Sequence, residues 1–245
     1  SSFEKIVMLD NYSFSFTTVD NVTPSLVGYY TFNDVNTTTL NDHADEDNNQ
    51  SFQDATLIST ATLHKGYNQI DNGTIRLDGN FAKINNNFPS GDNFTISVWS
   101  MNGSQNYPII GWDANSSLSS PEFKLHVENN NVKVKLGSNT ITCSKITQRD
   151  IWNHIVVSVK NSEQNLYLNG LLCQNSTTSG TFKINSPVVL GDFQNNYNTV
   201  GNSYSNGYID ELKIFNNYLE SGEVKTLFIN TGRNLEGFFP LGNRI

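Results

Sequence analysis

The sequence predicts an all-β protein with one short helix near its C-terminal end. Three observations carry this reading. Strand-length apolar runs recur along the chain, separated by Asn, Gly, Ser and Asp, a spacing that suits a sandwich or barrel. From His154 to Lys160, the side chains of Ile155, Val157 and Val159 fall on one face and those of His154, Ser158 and Lys160 on the other. That alternation marks a half-buried antiparallel strand. Asn169-Gly170 signals a two-residue hairpin, because both positions of a type I′ turn need positive φ.

Taken in order, the candidate strands are Leu26–Phe32, Thr74–Leu77, Phe81–Ile84, Phe94–Trp99, Pro108–Gly111 and Phe123–Val127. They continue with Val132–Leu136, Thr140–Cys143, His154–Lys160, Asn165–Leu168, Leu171–Cys173, Val188–Leu190 and Tyr208–Phe215. The helix is read at Ser221–Phe228, where Val224, Leu227 and Phe228 share a helical face. Ser221 is the expected N-cap and Gly232 lies beyond the expected end. Residues 1–24, with Tyr12, Phe14 and Phe16 in alternation, read as an N-terminal extension or extra strand, and 229–245 as a C-terminal tail or linker.

The 245 residues are enough to bury a sizeable core. Charged residues are 16% of the chain and the net charge is −8. An acidic chain gains no counterion release from phosphates, so nucleic acid is excluded as an expected partner. No apolar run has the length of a bilayer span, so membrane insertion is not expected. The chain begins without Met and without a signal-peptide pattern, which reads as a mature chain or a fragment. Asn is about one residue in seven, well above ordinary usage. The Asn-X-Ser/Thr acceptors at Asn11, Asn21, Asn36, Asn49, Asn72, Asn93, Asn102, Asn115 and Asn175 are close to what that composition produces by chance. Cys143 and Cys173 are an even pair, compatible with one disulfide or with two buried thiols. The disulfide is expected.

Four segments, Leu26–Asp34 (LVGYYTFND), Phe94–Ser100 (FTISVWS), Trp152–Gly170 (WNHIVVSVKNSEQNLYLNG) and Gly207–Phe215 (GYIDELKIF), resemble in order and spacing the laminin G-like and pentraxin-like jelly roll. This is the concanavalin A-like sandwich. The resemblance covers roughly residues 25–228. It implies a two-sheet antiparallel jelly-roll sandwich in which Trp99 and Trp152 are structural. It also implies a binding module for glycans or cell-surface proteins, often with calcium.

Asp210 is the candidate metal ligand. By simple alternation it shares a face with Leu212 and Ile214, and an inward carboxylate must be hydrogen-bonded, protonated or metal-bound. The resemblance places a structural calcium there, with Asn33, Asp34 and Asp78 as further oxygen donors. The alternative is an Asp210 that caps backbone N–H groups, with the other three as turn formers. The acidic stretch Asp42–Asn49 has enough carboxylates to chelate calcium but lacks the EF-hand spacing, and the reading preferred is a solvated loop. Ligand contacts are expected in two loop regions that combine aromatic faces with polar groups. One holds Trp112, Asp113 and Asn115; the other holds Asn195, Tyr197, Asn198 and Tyr204.

Catalysis is not expected. The strand-borne Glu-X-Asp-X-(X)-Glu pattern of related glucanases is absent, and neighbours Asp210 and Glu211 would point to opposite faces of a regular strand. The function expected is a lectin-like or adhesive module at an extracellular, cell or virion surface, as a homo-oligomer or within a multidomain protein. The alternative is an assembly subunit of a surface filament or virion fibre.

Overall fold

A computed structural model describes residues 26–32, 39–40, 42, 44, 55–58, 62–64, 74–76, 81–84, 88, 93–102, 106–112, 122–146, 151–177, 182, 184, 187–191 and 207–232. The first strands are β1 (Leu26–Tyr30), β2 (Thr39–Leu40), β3 (Ala55–Ile58), β4 (Thr62–His64), β5 (Thr74–Arg76), β6 (Phe81–Ile84), β7 (Asn93–Asn102) and β8 (Tyr107–Trp112). The rest are β9 (Phe123–Glu128), β10 (Asn131–Leu136), β11 (Asn139–Ile146), β12 (Trp152–Lys160), β13 (Glu163–Leu168), β14 (Leu171–Thr177), β15 (Val188–Gly191) and β16 (Gly207–Phe215). One helix, α1 (Ser221–Gly232), comes after them. The strands read between Leu26 and Phe215 are present; residues 1–24, read as an extension or extra strand, and 233–245 of the C-terminal tail lie outside the described residues. The short strands β2, β3 and β4 were not read from the sequence.

The strands build two antiparallel sheets of a jelly-roll sandwich. The first runs β14-β13-β12-β7-β16-β5-β4, with β1 also paired to β16. The second runs β11-β10-β9-β8-β15-β6-β3-β2. The core lies between them. Phe94, Ile96 and Val98 of β7 and Ile155, Val157 and Val159 of β12 enter it from the first sheet. Leu125, Val127, Val132, Val134 and Leu136 enter it from the second. Each such side chain contributes about 1.5–3 kcal/mol by leaving water.

The turns obey the sequence chemistry. Asn169 and Gly170 have φ of 52° and 75°, and Asn129-Asn130 between β9 and β10 also sit at positive φ. Asn tolerates this region because its short polar side chain can bond locally. The outer end of the sandwich is tied covalently. Cys143 on β11 and Cys173 on β14 form a disulfide, with Cα atoms 5.5 Å apart. β11 and β14 are the terminal strands of the two sheets, so the bond joins sheet to sheet.

Two features of β12 and α1 differ from the sequence expectation. β12 is buried on both faces, not half-buried, because a second apolar cluster covers its other side. That cluster joins Val156, Tyr167 and Phe215 to Leu219, just before the helix, and Val224 within it. The helix cap is Glu220, one residue before Ser221. Val224 N–H donates to Glu220 C=O at 3.0 Å, and Glu220 N–H donates to Glu223 Oε2 at 2.7 Å. Glu223 is thus the back-reaching arm of a capping box. The helix continues through Gly232, past the boundary read at 228.

Candidate binding surface

The face of the first sheet turned away from the core carries an unusual polar layer. On β7, Phe94, Ile96 and Val98 point inward. Strand alternation therefore sends Thr95, Ser97 and Trp99 to the opposite side, towards the helix. There Ser97 Oγ lies 2.9 Å from His154 Nε2. A hydroxyl beside an imidazole has the outline of a nucleophile–base pair. Its surroundings give it a structural role. Both residues are buried, and the imidazole lies against the rings of Trp99 and Phe228, at 5.1 and 5.8 Å. Burial, helped by Lys213, pushes its pKa down to about 3. Nδ1 has no hydrogen-bond partner, so no acid orients the ring as a third member. Trp99 Nε1–H donates to Thr231 Oγ1 at 2.8 Å, fastening α1 over the layer.

Asp210 belongs to this outer layer, not to the sandwich interior. A β-bulge between Asp210 and Lys213 breaks the alternation that the sequence reading assumed. Glu211 takes φ of 50°, so one extra residue is inserted and the phase flips. Asp210 stands opposite Trp99, while Leu212 and Ile214 still reach the core. Asp210 Oδ1 accepts the N–H of Glu211 at 2.8 Å. Glu211 is held in the same layer, where it accepts the Tyr29 hydroxyl at 2.9 Å and Lys213 Nζ at 3.0 Å. The Lys213 ammonium also sits 4.2 Å from the Tyr29 ring centroid. Calcium needs six to eight oxygens. Around Asp210 the described donors are a carboxylate already bonded to backbone, a second one bonded to a hydroxyl, and a competing ammonium. Among the described residues, no group of three or more His, Cys, Asp or Glu side chains comes together. Asn33, Asp34 and Asp78 lie outside the described residues.

Of the acidic stretch, Asp42 is described and is not solvated. It is 1% exposed, and its Oδ1 accepts the N–H groups of Tyr29 and Ala44 at 2.7 and 2.9 Å. It therefore fixes the start of that loop against β1.

Trp112 does not offer a face to a ligand. It is 0% exposed, stacks on Phe123 with centroids 4.1 Å apart, and meets Phe94 edge-on at 5.5 Å. The residue read as part of a loop is the last of the strand, and alternation from Ile110 turns Trp112 into the core. Asp113, Asn115, Asn195, Tyr197, Asn198 and Tyr204 lie outside the described residues.

The second sheet also carries a polar outward face among the described residues. In β9 the outward residues are Lys124, His126 and Glu128; in β10 they are Lys133 and Lys135; in β11, Thr140 and Thr142. The register aligns Lys124, Lys135 and Thr140 in one row, and His126, Lys133 and Thr142 in the next. Adjacent strands lie about 4.8 Å apart, and successive same-face residues along a strand about 6.8 Å. Lys133 is paired with Glu128, with side chains 26% and 45% exposed. Burial first, then Lys124, pushes the His126 pKa down to about 4, with Glu128 opposing and Lys133 adding to the fall. No charge pattern in the sequence had singled out this cluster, because its residues gather only once the register is known.

The family pattern of the concanavalin A-like lectin/glucanases superfamily matches residues 77–225, more than half of the chain. The chain belongs to the concanavalin A-like lectin/glucanases superfamily. Solved structures agree in fold. The receptor-binding domain of botulinum neurotoxin C/D mosaic serotype aligns with TM-score 0.64 and 16% identity, over 85% of this chain and 52% of that one. The binding domain of Paraclostridial Mosquitocidal Protein 1 aligns with TM-score 0.62 and 20% identity, over 86% and 53%. The botulinum neurotoxin serotype D ligand-binding domain, in complex with N-acetylneuraminic acid, aligns with TM-score 0.63 and 18% identity, over 85% and 51%. This concanavalin A-like chain thus spans about half the length of those structures. No curated protein matches its sequence.

Proposed function

We propose that this chain is a non-catalytic binding module that recognises carbohydrate or a glycan-bearing receptor at an extracellular surface. The observation that carries the reading is its superfamily fold, shared with domains whose described roles are receptor and ligand binding. One of them is described in complex with a sialic acid, which selects the first sugar to test here. The disulfide supports an oxidising compartment. The sealing of Ser97 and His154 under Trp99 and Phe228 supports the non-catalytic part, since that pair has no room for a substrate. No helix among the described residues is long and apolar enough to cross a membrane.

A glycan array probed with and without calcium tests the reading. The expected result is millimolar to high-micromolar binding, about −4 to −6 kcal/mol per site, weakened by Tyr197→Ala without loss of folding. Turnover of a polysaccharide would overturn the non-catalytic part. Calcium at Asp210, with Asn33, Asp34 and Asp78, is a separate proposal read by melting in calcium and in EDTA. A bound ion raises the melting temperature by mass action, and identical curves would leave Asp210 as a hydrogen-bonded structural acid.

A further inference from the structure

We propose that Asn175 on β14 carries an N-linked oligosaccharide, which covers the uncharged, partly apolar edge of the first sheet. The inference goes beyond the binding reading above and rests only on its extracellular half, which the disulfide supports. Asn175-Ser176-Thr177 is an Asn-X-Thr acceptor. In the transfer, the side-chain nitrogen of Asn175 bonds to the anomeric carbon of an oligosaccharide carried on a polyprenyl diphosphate. The bond from that carbon to the diphosphate breaks, the diphosphate leaves with the electron pair, and the nitrogen gives up one proton.

Composition alone produces acceptor triplets in this chain, so the folded structure has to choose among them. Two lie wholly within the described residues. Asn93-Phe94-Thr95 is closed. Thr95 is 0% exposed, and its hydroxyl donates to Asn217 C=O at 2.8 Å and accepts the Leu219 N–H at 3.0 Å. Asn93 is half-buried, and its Oδ1 accepts the Asn161 N–H at 3.1 Å. Asn175-Ser176-Thr177 is open. Asn175 and Thr177 are both exposed. The side chains beside them bond to their backbone carbonyls, Gln174 Nε2 to Asn175 at 3.1 Å and Asn139 Nδ2 to Thr177 at 3.4 Å. The acceptor amide and the threonine hydroxyl are left without a partner among the described residues. Asn175 stands opposite Asn165 in register, which sends its side chain to the outer face at the end of the sheet, where a sugar chain extends into solvent.

The strand itself supplies the second argument. Natural edge strands are commonly guarded by charged side chains or proline, and Leu171–Thr177 has neither. Two of the three large apolar side chains exposed among the described residues are its own, Leu171 at 58% and Leu172 at 49%. A bulge sets Tyr167 opposite Leu172 and Asn165 opposite Asn175. The extra residue, Cys173, thereby brings Leu172 and Asn175 onto one face, about 6.8 Å apart along the strand. An oligosaccharide is bulky and well hydrated, and one rooted at Asn175 begins beside the exposed leucine. The disulfide holds the two terminal strands together, and the sugar chain covers the side chains that the disulfide leaves in water.

The test produces the full chain behind a secretory leader in yeast cells. Enzymatic release of N-glycans in heavy-oxygen water converts each vacated asparagine to labelled aspartate, which peptide mass spectrometry locates. Chain retained in the lumen is digested alongside the secreted chain, so occupancy is read in either case. The expected result is label at Asn175 in most molecules and none at Asn93. Thr177→Ala should abolish the label with Asn175 still in place, and should raise the binding of an apolar dye by uncovering Leu171 and Leu172. Melting curves and a thiol assay confirm that both proteins are folded and oxidised. An unlabelled Asn175 in folded, disulfide-bonded chain overturns the inference. A mass addition at Asn175 that survives Thr177→Ala is not N-linked transfer and overturns it as well. Equal dye binding by the two proteins overturns the covering of the edge. A protein that carries the glycan at Asn175 yet binds none on the array keeps this inference and loses the binding reading.

Discussion

Trp99 ties three parts of the molecule at one point. Its ring touches the His154 ring on the neighbouring strand and stacks on Phe228 of the helix at 5.7 Å, and its indole N–H ends on Thr231. Thr231 in turn donates to Leu227 C=O at 2.7 Å. Replacing Trp99 by Phe keeps much of the stacking and removes the donor. Thr231 Oγ1 then keeps its bond to Leu227 and loses the one it accepts, at a cost of about 0.5–1.5 kcal/mol. The expected result is a lower midpoint in urea with the β-sheet signal unchanged before the transition. A midpoint equal to wild type would show that the indole hydrogen bond adds nothing to the docking of the helix.

At the scale of single elements, the β13–β14 hairpin gives a sharp test. Gly170 has φ of 75°, and an added Cβ would lie 2.9 Å from Phe228 Cδ1. Gly170→Ala is therefore penalised twice, for a backbone conformation that suits glycine and for a collision with the helix. A loss of more than about 1 kcal/mol is expected, measured by chemical denaturation; a neutral result would mean that Phe228 moves aside freely. The hairpin itself was legible, because Asn-Gly has a local chemical reason to turn. So were the long strands, through their alternation. The bulges were not. Nothing in the local sequence around Glu211 announces a positive φ on a carboxylate side chain, and Pro108–Ile110 carries no glycine. Each bulge reverses the facing of the residues beyond it. That is why Asp210 was assigned inward when it lies in the outer layer; Trp112 was misplaced for another reason, being read as a loop residue when the strand extends to include it. The lysine face was hidden for a related reason. Its residues come from separate strands, and register across strands cannot be read along one of them.

For the whole molecule, acid is the informative variable. His154 and His126 are held at about 3 and about 4, below the value of about 6.5 for a free imidazole. Between those limits the unfolded chain binds more protons than the folded one. Their contribution to stability is therefore complete above about pH 6.5 and is lost progressively as the pH falls towards the folded values. The denaturation midpoint should drop between pH 7.5 and pH 4.5. His154→Gln should shrink that difference, since a neutral amide has no proton to take up; an unaltered difference would mean that His154 titrates normally in the folded protein.

The bond between Cys143 and Cys173 has a consequence beyond the closing of a 30-residue separation. In the chain-entropy account that closure is worth about 3–4 kcal/mol. It also joins the outermost strands on one side of both sheets. An edge strand shows a row of unsatisfied backbone groups, ready to recruit a strand from another molecule. Held together, β11 and β14 shield each other, and Asn139 of one reaches Ser176 of the other at 3.1 Å. Reduction would leave two such rows free to part. Light scattering on a reduced sample, warmed below its unfolding temperature, should therefore rise while the oxidised protein stays clear.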